Sequence, residues 1–197
     1  MGAHGYLCCA LLVCAYLLGA GPAAVRAATL SRERLSLNSD WRFQKGDPAG
    51  MEGRLAYEKI KNWVLATGNE LVSSSGDVRA ARPAGNPGEE VPYTRANFDD
   101  QGWRQLNLPH DWGIEGPFNQ DYPGETAKLP WWGVGWYRKH FQVGAADKGK
   151  RLFLDIDGAM AYASVWLNGK FVGGWPYGYS SFELDLTPYV EFGAENV

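Results

Sequence analysis

The chain has 197 residues, which suits one ordinary domain with a single core, and a formal net charge of −3 at pH 7. The charges are spread along the chain, which argues against nucleic acid or an anionic membrane surface as a partner. All three cysteines, Cys8, Cys9 and Cys14, lie near the N-terminus, so the remainder offers no disulfide framework, thiolate metal site or cysteine nucleophile.

Residues 1–27 have the pattern of a secretory signal peptide. An apolar run extends from Tyr6 to Ala20, and Val25-Arg26-Ala27 places small residues at the −3 and −1 positions of a cleavage site. No Lys or Arg precedes the apolar run, which leaves an uncleaved anchor as the alternative. We expect a secreted or periplasmic protein whose domain spans residues 28–197 and makes no membrane contact after cleavage.

Before residue 99 few elements are predicted. Trp41 to Phe43 predicts a first short strand, and Leu55 to Val64 suits one or two turns of helix. The Ser, Gly and Pro residues between Ser73 and Gly88 indicate a loop. We expect no long amphipathic helix in this chain.

After Asp99, alternating apolar and polar residues predict a succession of short strands. Asn168-Gly169 is the pattern of a tight β-hairpin turn between two of them. The predicted strands are Trp103–Leu108, Trp136–Val143, Arg151–Asp157, Tyr162–Leu167, Lys170–Gly174 and Ser181–Leu186.

Short strands with two-sided patterning predict an all-β fold, an antiparallel jelly-roll β-sandwich. The last residues, Glu195-Asn196-Val197, resemble the start of a further strand. A sheet that ended there would expose a bare edge, so we expect the domain to be truncated at its C-terminal end.

A histidine and an aspartate stand side by side in the sequence LPHDWGIEGPF, which runs from Leu108 to Phe118. His110 and Asp111 could be a base and its orienting acid, but no G-x-S-x-G nucleophile motif accompanies them. A carboxylate just after a strand that ends at proline usually accepts backbone N–H bonds. We therefore interpret His110 and Asp111 as residues that structure the loop.

Two further kinds of site, a pair of catalytic carboxylates and a metal site, have simpler alternative interpretations. Asp155 and Asp157, or Glu183 and Asp185, share a strand face about 7 Å apart, within the range that glycoside hydrolysis needs. Solvated strand faces commonly carry such pairs, so we assign no catalytic residue to them. Histidines are too few to suggest a metal site, and we expect no cofactor.

Tryptophan is concentrated between two predicted strands. Trp112, Trp131 and Trp132 lie in a glycine-containing loop together with Asn119 and Asp121. The face of an indole suits the C–H face of a sugar ring, while amide and carboxylate groups suit its hydroxyls. Sugar contact and plain packing both remain open for these tryptophans.

Five segments together resemble the N-terminal sugar-binding domain of glycoside hydrolase family 2, which includes β-galactosidases, β-glucuronidases and β-mannosidases. They occur in the order of that family, and the PHDW and GWYRK sequences favour the β-galactosidase-like members. The segments are LNSDWRF (37–43), FDDQGWRQLNLPHDW (98–112), GVGWYRKHF (133–141), LDIDGAMAYASVWLNGKFVG (154–173) and YGYSSFELDLTPYV (177–190).

The resemblance implies a galactose-binding-domain-like jelly roll, followed in the whole enzyme by an immunoglobulin-like domain and a (β/α)₈ barrel. Both catalytic glutamates of the retaining reaction belong to that barrel, so the resemblance implies that this chain alone is inactive. A family asparagine that contacts galactose lies in an N-x-x-Y-P setting, which Asn119 matches here.

The predicted partner is therefore a β-linked glycoside, with a galactoside favoured. The competing hypothesis is a carbohydrate-binding module that functions without any hydrolase.

Overall fold

The computed structural model describes residues 32–71, 81–122, 124, 128–130 and 133–197. Ser36–Val197 form one compact unit, and of the separate unit Met1–Leu35 only residues 32–35 are described. The predicted signal peptide lies outside the described residues. The elements of the compact unit are β1 (Trp41–Lys45), α1 (Tyr57–Leu71), β2 (Arg104–Leu106), β3 (Gly135–Arg138), β4 (Phe141–Gln142), β5 (Phe153–Ile156), β6 (Ala163–Leu167), β7 (Lys170–Trp175), β8 (Phe182–Asp185) and β9 (Glu195–Asn196).

All the described strand pairs are antiparallel. Strand β1 lies between β2 and β3, and the other pairs are β4 with β9, β5 with β8, and β6 with β7. The predicted mostly-β, antiparallel architecture is confirmed, whereas its finer assignment to the jelly roll stays a prediction.

The strand predicted over Trp136–Val143 is in fact two strands, β3 and β4. Strand β3 pairs with β1, but β4 pairs with β9, so the chain changes partners between Arg138 and Phe141. Such a change bends the strand and moves it from one sheet to another. Alternation along one strand does not reveal where its neighbours change.

The hairpin predicted at Asn168-Gly169 is confirmed. Both residues have left-handed backbone angles, with φ of 53° and 79°, as a type I′ turn requires. The hairpin joins β6 to β7, and its inner face contributes to the main core. Buried members of that core are Leu167, Val172, Phe182, Leu184 and Leu186.

Helix α1 contradicts the prediction that no long helix occurs. It has 15 residues, and it buries Ile60 and Val64 against Phe171 of β7. The helix lies so close to this strand that a Cβ built on Gly173 would be 2.6 Å from the Thr67 side chain. Because packing against β7 stabilises the helix, its own sequence pattern underestimated its length.

Candidate functional site

The candidate loop begins at His110, whose side chain is only 9% exposed. Its Nδ1 lies 2.8 Å from the Tyr137 hydroxyl, and its Nε2 lies 2.9 Å from Glu115 Oε1. The imidazole also packs edge-on against Phe43 of β1, with 4.9 Å between ring centroids. These contacts attach the start of the loop to β1 and β3.

Glu115 links His110 to Arg104 in a chain of hydrogen-bonded side chains. Its carboxylate accepts from Arg104 Nη1 at 2.7 Å, in addition to its bond with His110. An ionised carboxylate only accepts, so His110 Nε2 donates to Glu115, and in the neutral imidazole Nδ1 then accepts from the Tyr137 hydroxyl. The sequence of bonded side chains is therefore Arg104, Glu115, His110 and Tyr137.

The pKa values of Glu115 and Tyr137 reflect this chain of hydrogen bonds. Hydrogen bonds from Arg104 and then from His110 hold the pKa of Glu115 below its ordinary value of 4.5. Burial, and to a smaller extent the charges of Asp111 and Glu115, together raise the pKa of Tyr137 to about 12. At neutral pH the Tyr137 hydroxyl therefore keeps its proton.

Asp111 has a different partner from its neighbour. Its side chain accepts a hydrogen bond from Gly113 N at 2.8 Å and caps the short 3₁₀ helix Trp112–Ile114. The carboxylate bonded to His110 is thus Glu115, five residues away in the chain. A reaction centre built on His110 and Asp111 has no geometric support, and their assignment as loop-structuring residues stays a prediction.

Trp112 lies half-buried at the base of the loop. Its indole covers β3 so closely that a Cβ built on Gly135 would lie 2.5 Å from Nε1. Phe43 packs at 6.5 Å between ring centroids, and Lys45 Nζ lies 5.4 Å from the centre of the indole. Packing accounts for these contacts, and the sugar contact predicted for Trp112 stays a prediction.

Asn119 and Asp121 lie next to each other on the exposed part of the loop. Asn119 Oδ1 accepts from Asp121 N at 3.0 Å, which closes an Asx turn. Lys128 Nζ donates to the backbone oxygens of Gln120 at 2.6 Å and Tyr122 at 3.2 Å. The turn therefore presents the amide of Asn119 and the carboxylate of Asp121 on one short segment.

The two other tryptophans of the predicted site, Trp131 and Trp132, lie outside the described residues. Of the predicted contact residues, the structure thus places Asn119 beside Asp121, with Trp112 at the base of their loop. The Arg104–Glu115 and His110–Tyr137 bonds are additions that the sequence pattern did not indicate.

Sequence reasoning also missed a buried ion pair between Asp100 and Arg138. Arg138 Nε lies 2.7 Å from Asp100 Oδ2, and the two side chains are 5% and 8% exposed. Arg138 also donates to the backbone oxygens of Tyr93 and Arg95, and His140 Nε2 lies 2.9 Å from the same Asp100 oxygen. Arg138 and His140 share one face of the strand predicted over Trp136–Val143, and alternation does not show what covers that face.

Membrane-spanning helices and clusters of metal-ligating side chains are both absent from the described part of the chain. No helix there is both long and apolar enough to cross a membrane. No group of three or more His, Cys, Asp and Glu side chains there could hold a metal ion.

Residues 98–195 match the family described as "Beta-galactosidase second all-beta domain". The chain is 38% identical over 168 residues to "Beta-galactosidase BoGH2A" of Bacteroides ovatus, covering 84% of this chain and 15% of that protein. It is 36% identical over 106 residues to a "Putative beta-glucuronidase" of Formosa agariphila, covering 53% of this chain and 10% of that protein.

Among solved structures, it is similar to a glycosyl hydrolase family 2 member from Bacteroides cellulosilyticus. The TM-score is 0.56 and the identity 33%, covering 82% of this chain and 16% of that one. This chain therefore spans less than a fifth of the length of the proteins that it resembles. Together the matched family, the sequence relatives and the shared fold identify the chain as an all-β domain of glycoside hydrolase family 2.

Proposed function

We propose that this chain is the N-terminal sugar-binding jelly-roll domain of a β-galactosidase-like retaining glycoside hydrolase. The observation that carries the proposal is the 38% identity to a β-galactosidase over 84% of this chain. That segment is 15% of the relative, so most of the relative lies in other domains. An immunoglobulin-like domain and a catalytic barrel are the proposed partners of this domain in the whole enzyme.

The part of this domain in the reaction is to lend the Asn119 loop to the sugar site. The Asn119 amide can donate to a sugar hydroxyl, and the Asp121 carboxylate can accept from one. The bonds of Glu115 with His110 and Arg104 fix the base of the loop before substrate arrives. A loop held in this way loses less conformational entropy on binding.

A β-glucuronide is the second candidate substrate, because several relatives carry that name. A glucuronide brings a carboxylate, which favours a cationic site. The exposed turn here carries the anionic Asp121, and Lys128 Nζ is engaged with two backbone oxygens. The charges of the loop therefore favour a neutral galactoside over a glucuronide.

Export and cofactor use complete the proposal. Residues 1–27 direct the protein to the periplasm or the exterior, and hydrolysis by two glutamates requires no cofactor. Mass spectrometry of protein recovered from the periplasm and the culture medium of an expressing bacterium tests the first point. A mature N-terminus at Ala28 is expected, and retention of residues 1–27 would contradict cleavage.

Two measurements test the assignment of function. The purified chain is expected to show no turnover of nitrophenyl β-galactoside, because the proposal places both catalytic glutamates in another domain. Calorimetry of the same chain with a small galactoside, methyl β-galactoside, is expected to show almost no heat, because the loop supplies only part of a subsite. Clear binding of this small galactoside that Asn119→Ala abolishes would instead support the module that functions without a hydrolase.

The role of Asn119 is tested in an enzyme that contains this domain together with its barrel. Asn119→Ala removes one hydrogen-bond donor to substrate, and a net loss of about 1.4 kcal/mol lowers kcat/KM about tenfold. Gln120→Ala changes the adjacent exposed residue and serves as the matched control. Equal kcat/KM values for the two variants would remove Asn119 from the site.

A further inference from the structure

Four exposed side chains on two loops form what we name the tyrosine patch. Met160 and Tyr162 lie between β5 and β6, and Tyr177 and Tyr179 lie between β7 and β8. Their exposed fractions are 61%, 58%, 66% and 91%. Contiguous apolar surface of this kind usually marks an interaction site.

The two loops of the patch touch one another. Tyr162 N donates to Pro176 O at 3.3 Å. A Cβ built on Gly178 would lie 3.2 Å from Ala161 N and 3.5 Å from Met160 Sδ. The two loops that carry the aromatic rings are therefore adjacent on the surface.

Neighbouring rings support the patch from beneath. Tyr57, the first residue of α1, lies 4.7 Å from Tyr162 between ring centroids. Trp175 of β7 lies 5.9 Å from Tyr177 in an edge-on contact, and its indole N–H donates to Ser180 Oγ at 2.8 Å. These contacts hold the base of each loop while the patch remains exposed.

The backbone of the patch is strained at two tyrosines. Tyr162 and Tyr179 have φ of 67° and 58°, a region that bulky residues rarely occupy. Each such residue costs about 1 to 3 kcal/mol, and strain of this kind concentrates at functional sites. Burial of these rings does not offset the cost, because both are more than half exposed.

The four side chains of the patch carry no charge, and Asp157 is the one charged residue on the two loops that hold it. Between Asp157 and Glu183 the sequence contains one charged residue, Lys170, at the opposite end of the β6–β7 hairpin. Charge complementarity therefore favours a neutral ligand. Tyrosine rings combine an apolar face with a hydroxyl, which suits the alternating C–H faces and hydroxyls of sugar rings.

We propose that the tyrosine patch binds neutral β-linked polysaccharide. The inference goes beyond the proposed function, because the patch lies on loops other than the Asn119 loop and requires no contact with a reaction centre. A polymer held there keeps its other glycosidic bonds at a raised local concentration near the enzyme. A dry protein interface is the competing occupant, and it becomes an outcome of the test.

The test uses the full chain in gels that contain dissolved polysaccharide. Neutral β-galactan and glucomannan are expected to retard the chain, whereas anionic polygalacturonate is expected to retard it far less. The double variant Tyr177→Ala/Tyr179→Asn removes two rings, and Asn tolerates the left-handed backbone at position 179. Its dissociation constant for the neutral polymer is expected to rise at least tenfold.

Phe118→Ala is the matched control, since Phe118 is a 67% exposed aromatic residue on the Asn119 loop. Its retardation is expected to equal that of the unmodified chain. Loss of retardation in Phe118→Ala alone would assign binding to the Asn119 loop and overturn the patch while leaving the proposed function intact.

Three other results would overturn the patch as a polysaccharide site. The first is no retardation by either neutral polymer, and the second is equal retardation of the double variant. The third is light scattering that shows a dimer of the unmodified chain and a monomer of the double variant, which would make the patch a protein interface. Circular dichroism of each variant verifies that the fold is retained.

Discussion

Asp100→Asn is expected to destabilise the fold strongly, because it removes the charge that compensates a buried guanidinium. Asp100 and Arg138 are 8% and 5% exposed, and 2.7 Å separates their bonded atoms. Breaking a buried pair from one side costs about 3 to 5 kcal/mol. Backbone oxygens of Tyr93 and Arg95 still accept from Arg138, so we expect the lower end, about 3 kcal/mol.

Urea unfolding followed by circular dichroism measures this loss. With a slope of about 2 kcal/mol per molar urea, the midpoint is expected to fall by about 1.5 M. Glu195→Gln is the control, because Glu195 is 60% exposed and lies 3.5 Å from His140. Its effect is expected to stay below about 1 kcal/mol. Similar losses for the two variants would refute the importance of the buried pair.

A second substitution, at Arg138, tests whether the loss of stability comes from the unpaired charge of its guanidinium or from its other contacts. Arg138→Met in the Asp100→Asn background removes the uncompensated guanidinium, so the double variant is expected to be more stable than Asp100→Asn alone. A double variant that is less stable would show that the backbone contacts of Arg138, and not its charge pairing, dominate.

Acid sensitivity follows from the same carboxylate. Burial raises the pKa of Asp100, but hydrogen bonds from Arg138 and His140 outweigh it, so the pKa lies below 3.8. A carboxyl with a lowered folded pKa contributes stability that is complete above the unfolded value and is lost as pH falls through the folded value. Asp100→Asn is therefore expected to lack the part of the acid dependence that appears below pH 3.8.

Three further predictions concern single residues. Absorbance titration is expected to show one tyrosine with a pKa near 12 that is missing in Tyr137→Phe, and an unchanged titration curve would contradict its assignment. Gly135→Ala is expected to lower the melting temperature and alter tryptophan fluorescence, because the new Cβ would lie 2.5 Å from Trp112 Nε1; unchanged values would refute this packing. Asn196→Ala is expected to lower the free energy of unfolding by about 2 to 4 kcal/mol, because Asn196 is fully buried and bonds to Glu191 N and Ala194 O; a loss below about 1 kcal/mol in urea would contradict it.

Local patterns predicted those parts of the fold that depend on neighbouring residues. The hairpin at Asn168-Gly169 needs only two residues that accept left-handed backbone angles, and it occurs as predicted. The length of α1 depends instead on the distant Gly173, which lets the helix pack against β7. The residues that neighbour the helix in the sequence therefore do not predict its length.

In the candidate site too, contacts between neighbouring residues were predictable from the sequence and contacts between distant residues were not. Asn119 and Asp121 are close because they are two residues apart, and their Asx turn is a local structure. The bond between His110 and Tyr137 joins residues that are 27 positions apart, so spacing along the chain could not reveal it. The buried role of Arg138 escaped prediction because alternation marks a strand face but not what covers it.

Gly173 connects the interior of the domain to its proposed polysaccharide surface. The absence of a side chain there sets how closely α1 lies to β7, and α1 begins at Tyr57, whose ring supports Tyr162. A larger residue at position 173 would displace the helix and with it the support of the patch. A substitution at the buried residue 173 is thus expected to change polysaccharide binding at this surface without contacting the polymer itself. Residue 173 is therefore a position from which binding can be engineered at a distance.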